Sequence, residues 1–290
     1  MRSFLPAYDL VQPPTLDRAL AMLADEPGIW KPFAGGTDLM VLLEAGALKH
    51  ERFINLWGLA ELRGVEATDT TLAIGALTTY TDLLNDPLVR DEFPLLCEAA
   101  AQTGGVATQN RGTLGGNIAN ASPAADTPPA LLVYDAELEL RSVRGVRRVP
   151  YARFHTGYKT MELAPDEIIA RIHLPRDRRG WTAAYRKVGT RRAQAIAKVC
   201  FAAAARLDGD VIQDMRLAFG SVAPTVVRAT ATEALMRGRQ LTSQSATAAV
   251  DSLAAEISPI DDIRSTARYR RFVARQLLVD YLQSLSGRFR

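Results

Sequence analysis

The sequence contains few of the residues from which metal sites are built. Of its 290 residues, only two are cysteines and three are histidines. Two thiols cannot complete a four-cysteine zinc or iron–sulfur site, and His50, His155 and His173 show no metal-ligand spacing. Cys97 and Cys200 each lie in an apolar stretch, a setting typical of buried, unreactive thiols. We therefore expect no metal ion bound to this chain.

Long apolar runs and the common nucleotide motifs are also missing. No apolar run reaches the roughly 18 residues of a membrane span, and Arg2, Pro6 and Asp9 stand where a secretory signal would have an apolar core. The chain is therefore expected to be cytoplasmic and to have no membrane span. Neither G-x-G-x-x-G nor G-x-x-x-x-G-K-[ST] occurs, which argues against a Rossmann nicotinamide site and a P-loop.

The net charge is small, but basic residues are concentrated in two segments. Lysine and arginine number 35 against 32 acidic residues, which gives +3. Residues 141–192 hold 14 basic and 4 acidic residues, and residues 264–290 hold 7 basic residues and the single acid Asp280. Aromatic residues make up 7%, and no nucleic-acid-binding motif accompanies the arginines. We expect most of these arginines to be solvated or to face an acidic partner, and no nucleic acid to be bound.

The N-terminal part of the chain alternates strands with helices. Apolar residues at helical spacing predict a helix from Pro14 to Asp25, with Thr15 or Asp17 as its cap. A strand over 29–34, a helix over 38–48 and a strand over 52–56 follow, and a glycine pair occupies the strand-to-helix turn. Later strands are predicted at 72–76, 137–143 and 167–174, and helices at 81–85 and 93–102. The charged segment Pro175–Gly180 lacks apolar periodicity, so we predict a domain boundary there.

The C-terminal part is predicted to be a sheet followed by three helices. Apolar strands over 195–207 and 214–220 are joined by a hairpin-type turn at Asp208–Gly209–Asp210. The helices are predicted over 230–236, 243–257 and 264–285. The fold class is therefore α+β. The predicted domains are 1–176, with subdomains of about 1–57 and 58–176, and 181–290.

Two glycine turns are the candidate binding elements, FAGGTDL at 33–39 and GTLGGNIAN at 112–120. Paired glycines let backbone N–H groups approach an anion without obstruction by a β-carbon, and successive N–H groups form a concave phosphate site. The helix after the first turn adds its positive N-terminal end. Thr37 and Thr113 supply hydroxyls suited to phosphate or ribityl oxygens. Because each turn also fits plain turn geometry, this pattern indicates a nucleotide without identifying it.

Three motifs in fixed order carry a family resemblance: AGGTDLM at 34–40, TLGGNIANASPAADTPPALL at 113–132 and YRKVGTRRAQAIAKV at 185–199. Together they resemble the FAD-binding subunit of the molybdenum hydroxylases, of the xanthine dehydrogenase and CO dehydrogenase type. The resemblance covers nearly the whole chain. It implies a two-subdomain FAD-binding (PCMH-type) N-terminal domain and a smaller C-terminal domain of antiparallel sheet and three helices.

The resemblance also implies which residues hold a non-covalent FAD. These are Lys31, Ala34, Gly35, Gly36, Thr37, Asp38, Thr113, Gly116, Asn117, Asn120, Asp126, Ile169 and Lys187. Residues 35–38, with Lys31 upstream, would line the pyrophosphate, and the residues of the second turn would bracket the flavin. Asp126 would hold a sugar or ribityl hydroxyl. Ile169 would pack on a ring, and Lys187 would lie beside the isoalloxazine carbonyls. The family often has threonine where this chain has Asn120.

Four of these residues also have a purely structural interpretation. Asp38 can cap the following helix, and Asp126 can be a turn residue before Pro128–Pro129. Lys187 can be solvated within a basic stretch, and Ile169 can belong to the core.

The function implied is electron transfer, and no catalytic residue is assigned to this chain. Substrate would be hydroxylated at a molybdenum cofactor on a large subunit. Electrons would then pass through [2Fe-2S] clusters on a small subunit to FAD on this chain, and onward to an external acceptor. The implied assembly is a dimer of heterotrimers. Two alternatives remain: a self-sufficient FAD-dependent oxidase or dehydrogenase of the same cofactor fold, and a basic, non-enzymatic binding or scaffold protein that uses residues 264–285.

Overall fold

The computed structural model describes residues 7–191 and 193–286, and its first part is a small parallel sheet with helices. Its elements are β1 (Asp9–Val11), α1 (Leu16–Asp25), β2 (Lys31–Phe33), α2 (Leu39–Glu44), β3 (Arg52–Asn55) and a 3-10 turn (Ala60–Leu62). The strand order is β1–β3–β2, and both pairings are parallel. Helix α1 buries an apolar stripe at i, i+3, i+4 and i+7. Thr15 caps this helix by accepting the Arg18 N–H at 3.3 Å, whereas Asp17 lies inside its first turn.

The second part is built on a five-stranded antiparallel sheet. Its elements are β4 (Val65–Ala67), β5 (Thr71–Gly75), α3 (Tyr80–Asn85), α4 (Pro87–Glu92), α5 (Pro94–Ala101), α6 (Val106–Gln109), α7 (Leu114–Ala119), α8 (Pro128–Val133), β6 (Glu137–Ser142), β7 (Gly145–Pro150), α9 (Tyr151–Phe154), β8 (His155–Gly157), β9 (Thr160–Met161) and β10 (Ile168–Pro175). The order in the sheet is β4–β5–β10–β6–β7, and β8 and β9 form a separate hairpin. Helices α3, α5, α7 and α8 contribute to the core that covers this sheet. The glycine-rich stretch therefore forms short helices, α6 and α7, within the second part.

The third part is a four-stranded antiparallel sheet followed by three helices. Its elements are β11 (Thr182–Val188), β12 (Val199–Asp208), β13 (Val211–Gly220), β14 (Val227–Arg228), α10 (Thr230–Met236), α11 (Ser243–Glu256) and α12 (Ala267–Leu285). The strands are paired in sequence order. The predicted α+β class and the three C-terminal helices are confirmed, and each helix lies within three residues of its predicted bounds.

Strand β12 is buried on both faces because it is the middle of a three-layer arrangement. Side chains alternate along the strand. Cys200, Ala202 and Ala204 belong to the core that contains helices α5 and α8. Phe201 and Ala203 belong to a second core that contains α10, α11 and α12. The alanine run in this strand lets helices approach the sheet closely from both sides.

Charged groups also join the second and third parts. Asp135, in the turn after α8, has a φ of +50° and accepts hydrogen bonds from Arg178, Arg216 and Arg228. Arg228 additionally donates to the Leu132 carbonyl at 2.8 Å. The end of α8 is therefore fixed to the C-terminal sheet by backbone and side-chain contacts together.

Residues 7–191 and 193–286 lack two features that would indicate other classes of protein. No helix in those ranges is long and apolar enough to cross a membrane. The same residues contain no group of three or more histidine, cysteine, aspartate or glutamate side chains arranged to hold a metal ion.

Candidate functional site

The two glycine turns contact each other at their backbones. A β-carbon placed on Gly35 would lie 1.7 Å from the Arg111 carbonyl oxygen, so a side chain there is excluded. Gly36 has a φ of +77°, and a β-carbon on it would lie 2.6 Å from Cζ of Phe33. A β-carbon on Gly116 would lie 4.0 Å from Cβ of Ala34. The turns thus form the two walls of one cleft, and glycine is required where the walls approach most closely.

The second turn is held in place by side-chain hydrogen bonds. Thr113, 3% exposed, caps α7 by accepting the Gly116 N–H at 3.1 Å. Asn117 accepts a hydrogen bond from the Thr127 hydroxyl at 2.5 Å. The first bond satisfies a backbone donor at the start of a short helix, and the second fixes the Asn117 side chain, so the turn is held without any ligand contact.

An apolar cavity adjoins this cleft. Its volume is about 90 Å³, and Ala34, Gly116 and Ile169 are among the residues that line it. Most of the remaining lining is aliphatic, including Leu56, Leu62, Leu77 and Leu163. Ile169, on β10, also belongs to the main core. Its core interpretation is therefore correct, and it is compatible with packing of the same side chain against an aromatic ring.

Asp126 and Lys187 form a buried ion pair. Lys187 Nζ lies 2.7 Å from Asp126 Oδ2, and the two side chains are 6% and 10% exposed. Lys187 also donates to the Gln102 carbonyl at 2.8 Å. The solvated interpretation of Lys187 is therefore wrong. Burial raises the pKa of Asp126 to about 6, even though the Lys187 ammonium opposes that shift.

The other oxygen of the same carboxyl group, Asp126 Oδ1, is buried and has no hydrogen-bond partner among the described residues. Buried polar atoms in proteins are almost always paired. An orphaned acceptor therefore fits a site where a ligand hydroxyl donates. The polar groups around it, the Lys187 ammonium donor and the Gln102 carbonyl acceptor, suit a sugar or ribityl chain. These residues fit the FAD that the sequence motifs imply.

Two side chains of the C-terminal sheet help to fix the position of Asp126. Tyr185 donates to the Asp126 carbonyl at 3.0 Å, and the Cys200 thiol donates to the Tyr185 oxygen at 3.1 Å. Burial raises the pKa of Cys200 to about 12, so this thiol stays protonated. The cysteine is inert, as expected, and acts through Tyr185 to position Asp126.

At the rim of the cleft, three polar side chains form a chain of hydrogen bonds. Asn120 Nδ2 donates to Asp38 Oδ1 at 3.1 Å, and Lys159 donates to Asn120 Oδ1. In the part of the chain that the structure describes, Asp38 makes no capping bond to α2. The capping interpretation of Asp38 is therefore wrong, and its carboxylate contacts the second turn instead.

Lys159 and Arg111 are two polar residues at this site that sequence reasoning missed. Arg111 stacks on Trp57 at 3.7 Å from the ring centre, and Arg63 lies 4.3 Å from the same ring. The position of Arg111, directly before the GTLGG turn, was a usable signal. Lys159 lies on a hairpin far from both turns in sequence, so nothing local identified it.

The remaining predicted residues, Lys31 and Thr37, are exposed. Lys31 begins β2, and burial together with the Lys31 charge lowers the pKa of His50. Thr37 is exposed beside Gly36. Apart from these two, the predicted residues lie at the two glycine turns with their rim, at the apolar cavity and at the buried ion pair.

A small parallel sheet joined to an antiparallel sheet through a glycine-walled cleft, with a third sheet-and-helix part, defines a class of flavoprotein subunit. The chain belongs to the family described as "FAD binding domain in molybdopterin dehydrogenase", whose model matches residues 6–177. A second model, "CO dehydrogenase flavoprotein C-terminal domain", matches residues 183–285. The resemblance in the sequence motifs is therefore confirmed.

Individual relatives agree with this family. The chain is 37% identical over 258 residues to the xanthine dehydrogenase FAD-binding subunit of Escherichia coli O157:H7, covering 88% of each chain. It is 30% identical to the carbon monoxide dehydrogenase medium chain of Hydrogenophaga pseudoflava, covering 94% of this chain and 95% of that one. A solved structure of carbon monoxide dehydrogenase from Hydrogenophaga pseudoflava superposes with a TM-score of 0.93 at 31% identity, covering 98% of this chain and 99% of that one. The predicted fold is thereby confirmed.

Proposed function

We propose that this chain is the FAD-binding electron-transfer subunit of a heteromeric molybdenum hydroxylase. It would receive electrons from iron–sulfur clusters of a partner subunit and pass them through FAD to an external acceptor. The observation that carries the proposal is the buried, unpaired Oδ1 of Asp126, in a chain that belongs to an FAD-binding family. Bound FAD supplies the redox chemistry, and the protein supplies binding, orientation and electrostatics.

Different residues of the cleft are expected to bind different parts of FAD. Backbone N–H groups of Gly35 and Gly36 are expected to face the pyrophosphate, because no β-carbon obstructs them. Thr37, Asp38 and Lys31 would bind at the same end. The Gly116 N–H is bonded to Thr113, so Gly116 would bracket the flavin from the opposite wall, together with Thr113, Asn117 and Asn120. Ala34 and Ile169 line the apolar cavity that an aromatic ring of the cofactor would enter.

The buried ion pair would act on the polar part of the cofactor. Asp126 Oδ1 is the acceptor for a sugar or ribityl hydroxyl. Lys187 is the cation expected beside the isoalloxazine carbonyls, where positive charge stabilises the reduced, anionic form. The contact between Lys187 and Asp126 keeps that charge in place and reduces its net strength.

The partners proposed are a large subunit with the molybdenum cofactor and a small subunit with [2Fe-2S] clusters, assembled as a dimer of heterotrimers. The proposal of partner subunits rests on the relatives, which are named as a subunit or medium chain of xanthine and carbon monoxide dehydrogenases, whereas the dimer of heterotrimers rests on the family resemblance of the sequence motifs alone. The proposal of partner subunits also rests on the sequence, whose two cysteines cannot ligate a cluster.

We further propose the domain division predicted from the sequence, with an FAD domain over 1–176, its subdomains over about 1–57 and 58–176, and a C-terminal domain over 181–290. The two family matches, to residues 6–177 and 183–285, support it.

Flavin content tests the proposed function. The full-length chain, purified and reconstituted with FAD, is expected to bind one FAD per chain and to release it on denaturation, since the attachment is non-covalent. Asp126→Ala removes the unpaired acceptor and should weaken FAD binding by about tenfold. Asp280→Ala, on the exposed face of α12, removes an equal charge and is the control. A wild-type chain that binds no FAD would contradict the proposal.

A further inference from the structure

The rim of the cleft contains a cation that the motif-based assignment does not include. Lys159 donates to Asn120 Oδ1, and Asn120 in turn donates to Asp38 Oδ1 at 3.1 Å. Three separate elements are joined in this way. Asp38 precedes α2, Asn120 ends α7, and Lys159 lies at the tip of the β8–β9 hairpin.

The backbone of the hairpin orients Lys159 towards the cleft. Gly157 pairs with Thr160, so that Tyr158 and Lys159 form a two-residue turn. Lys159 has a φ of +57°, a left-handed conformation that is uncommon for a residue with a β-carbon. Tyr158 beside it is 67% exposed. The tip therefore projects over the rim, and the long lysine side chain reaches back to the wall formed by α7.

The charges at this end of the cleft favour such a cation. A cofactor diphosphate is anionic, and Asp38 adds a further negative charge beside the first glycine turn. The guanidinium group of Arg111 is stacked on Trp57. Burial and the positive charge of Lys31 together lower the pKa of His50. Lys159 brings an ammonium group to the same two walls through Asn120.

Resting on the proposed function, we propose that Lys159 is a cofactor-binding residue that closes the rim of the cleft and binds the diphosphate of FAD. The β8–β9 hairpin then acts as a strap over the two glycine turns. In the structure the ammonium group is bonded to Asn120. A phosphate oxygen at the rim offers it a charged acceptor in place of the neutral amide oxygen, which adds a charge–charge attraction to the hydrogen bond.

The test compares the FAD dissociation constants of the full-length wild-type chain and three variants, measured by quenching of flavin fluorescence. Lys159→Met should weaken FAD binding about tenfold, the loss expected for one charge-assisted hydrogen bond. Lys159→Arg should restore binding to within about threefold, because it keeps the charge. Arg148→Met removes an equal charge from an exposed position on β7 and should leave the constant unchanged. Circular dichroism of each variant confirms that the fold is retained.

Ionic strength supplies a second readout. Raising the salt concentration screens an exposed charge contact, so the wild-type constant should depend on salt more steeply than that of Lys159→Met. Equal constants for Lys159→Met and wild type, within about twofold, would overturn the role of Lys159 and leave the proposed function standing. Failure of Lys159→Arg to restore binding would also overturn the role of Lys159. Absence of FAD binding to the wild type would overturn both.

Discussion

At the scale of single residues, Gly36 shows how closely the cleft depends on backbone geometry. Its φ of +77° lies in the left-handed region, and a β-carbon there would meet the Phe33 ring. We predict that Gly36→Val abolishes FAD binding, because a β-branched residue is strained at this φ and displaces the turn. Flavin absorbance of the purified variant measures this. The C-terminal sheet should remain folded, so unchanged far-ultraviolet circular dichroism is the control, and normal flavin content would contradict the site.

Asp126 gives a prediction about pH. Its pKa in the folded chain is about 6, against an ordinary value of 3.8, because burial outweighs the ion pair with Lys187. The folded state binds this proton more tightly than the unfolded state. The residue therefore stabilises the fold increasingly as pH falls from about 6 towards 4, and this contribution is lost as pH rises through 6.

The measurement is urea unfolding of the flavin-free wild type and of Asp126→Asn, at pH 4.5 and pH 7. The free energy of unfolding of the wild type, relative to Asp126→Asn, should be higher at the lower pH, by at most about 3 kcal/mol. The difference between the two proteins is used because other carboxylates, such as Glu92 and Glu167, have lowered pKa values and act in the opposite direction. A difference that does not change with pH would show that Asp126 keeps an ordinary pKa.

The motifs predicted candidate residues for the site, but they could not predict how those residues are paired. Asp126 and Lys187 were both identified, yet they are 61 positions apart, and their contact depends on how the C-terminal sheet packs on the second part. The same holds for Lys159, which is 39 positions from Asn120. Sequence spacing reports local geometry only. Long-range contacts depend on the packing of elements, which a single sequence does not show.

At the scale of elements, Arg228 connects a helix end to a sheet. It bonds to Glu233 and Asp135 as well as to the Leu132 carbonyl, and Glu233 is 4% exposed. Arg228→Met would leave that buried carboxylate without its cation. We predict that the free energy of unfolding falls by about 2–4 kcal/mol. Urea unfolding measures the loss. Arg239→Met, at an exposed position between α10 and α11, should change stability by less than about 0.5 kcal/mol.

Elements with strong periodicity or clear caps were predicted well, and the others were missed for identifiable reasons. Helix α2 ends at Glu44 instead of Leu48, because none of its residues is buried to stabilise a longer helix. Strand β11, with the sequence TAAYRKV, has no regular alternation. Strand β7 was missed because its two adjacent arginines interrupt the alternation of apolar and polar residues that predicts a strand. Helix α4 was missed although Asp86 caps it and Pro87 stands at its first position, a readable start signal.

At the scale of the whole molecule, the chain is expected to need partners for turnover. We predict that the isolated, FAD-loaded chain does not oxidise purines, aldehydes or carbon monoxide, because its two cysteines cannot ligate a cluster and residues 7–191 and 193–286 contain no group of side chains arranged to hold a metal ion. Bleaching of the flavin absorbance on addition of each substrate is the measurement. The same chain purified with its large and small subunits should bleach with one of them. Turnover by the isolated chain would favour the self-sufficient oxidase instead.

The shared core around β12 has a consequence for how such subunits can evolve. Cys200, Ala202 and Ala204 are buried against helices of the second part, although a family boundary falls between residues 177 and 183. Recombination at that boundary would pack α5 and α8 of one parent against the alanine-rich face of β12 from another parent, and the two surfaces would not be complementary. The two domains, each matched by its own family model, should therefore be inherited together. Chimaeras between relatives should fold only when the contacting surfaces of α5, α8 and β12 come from the same parent.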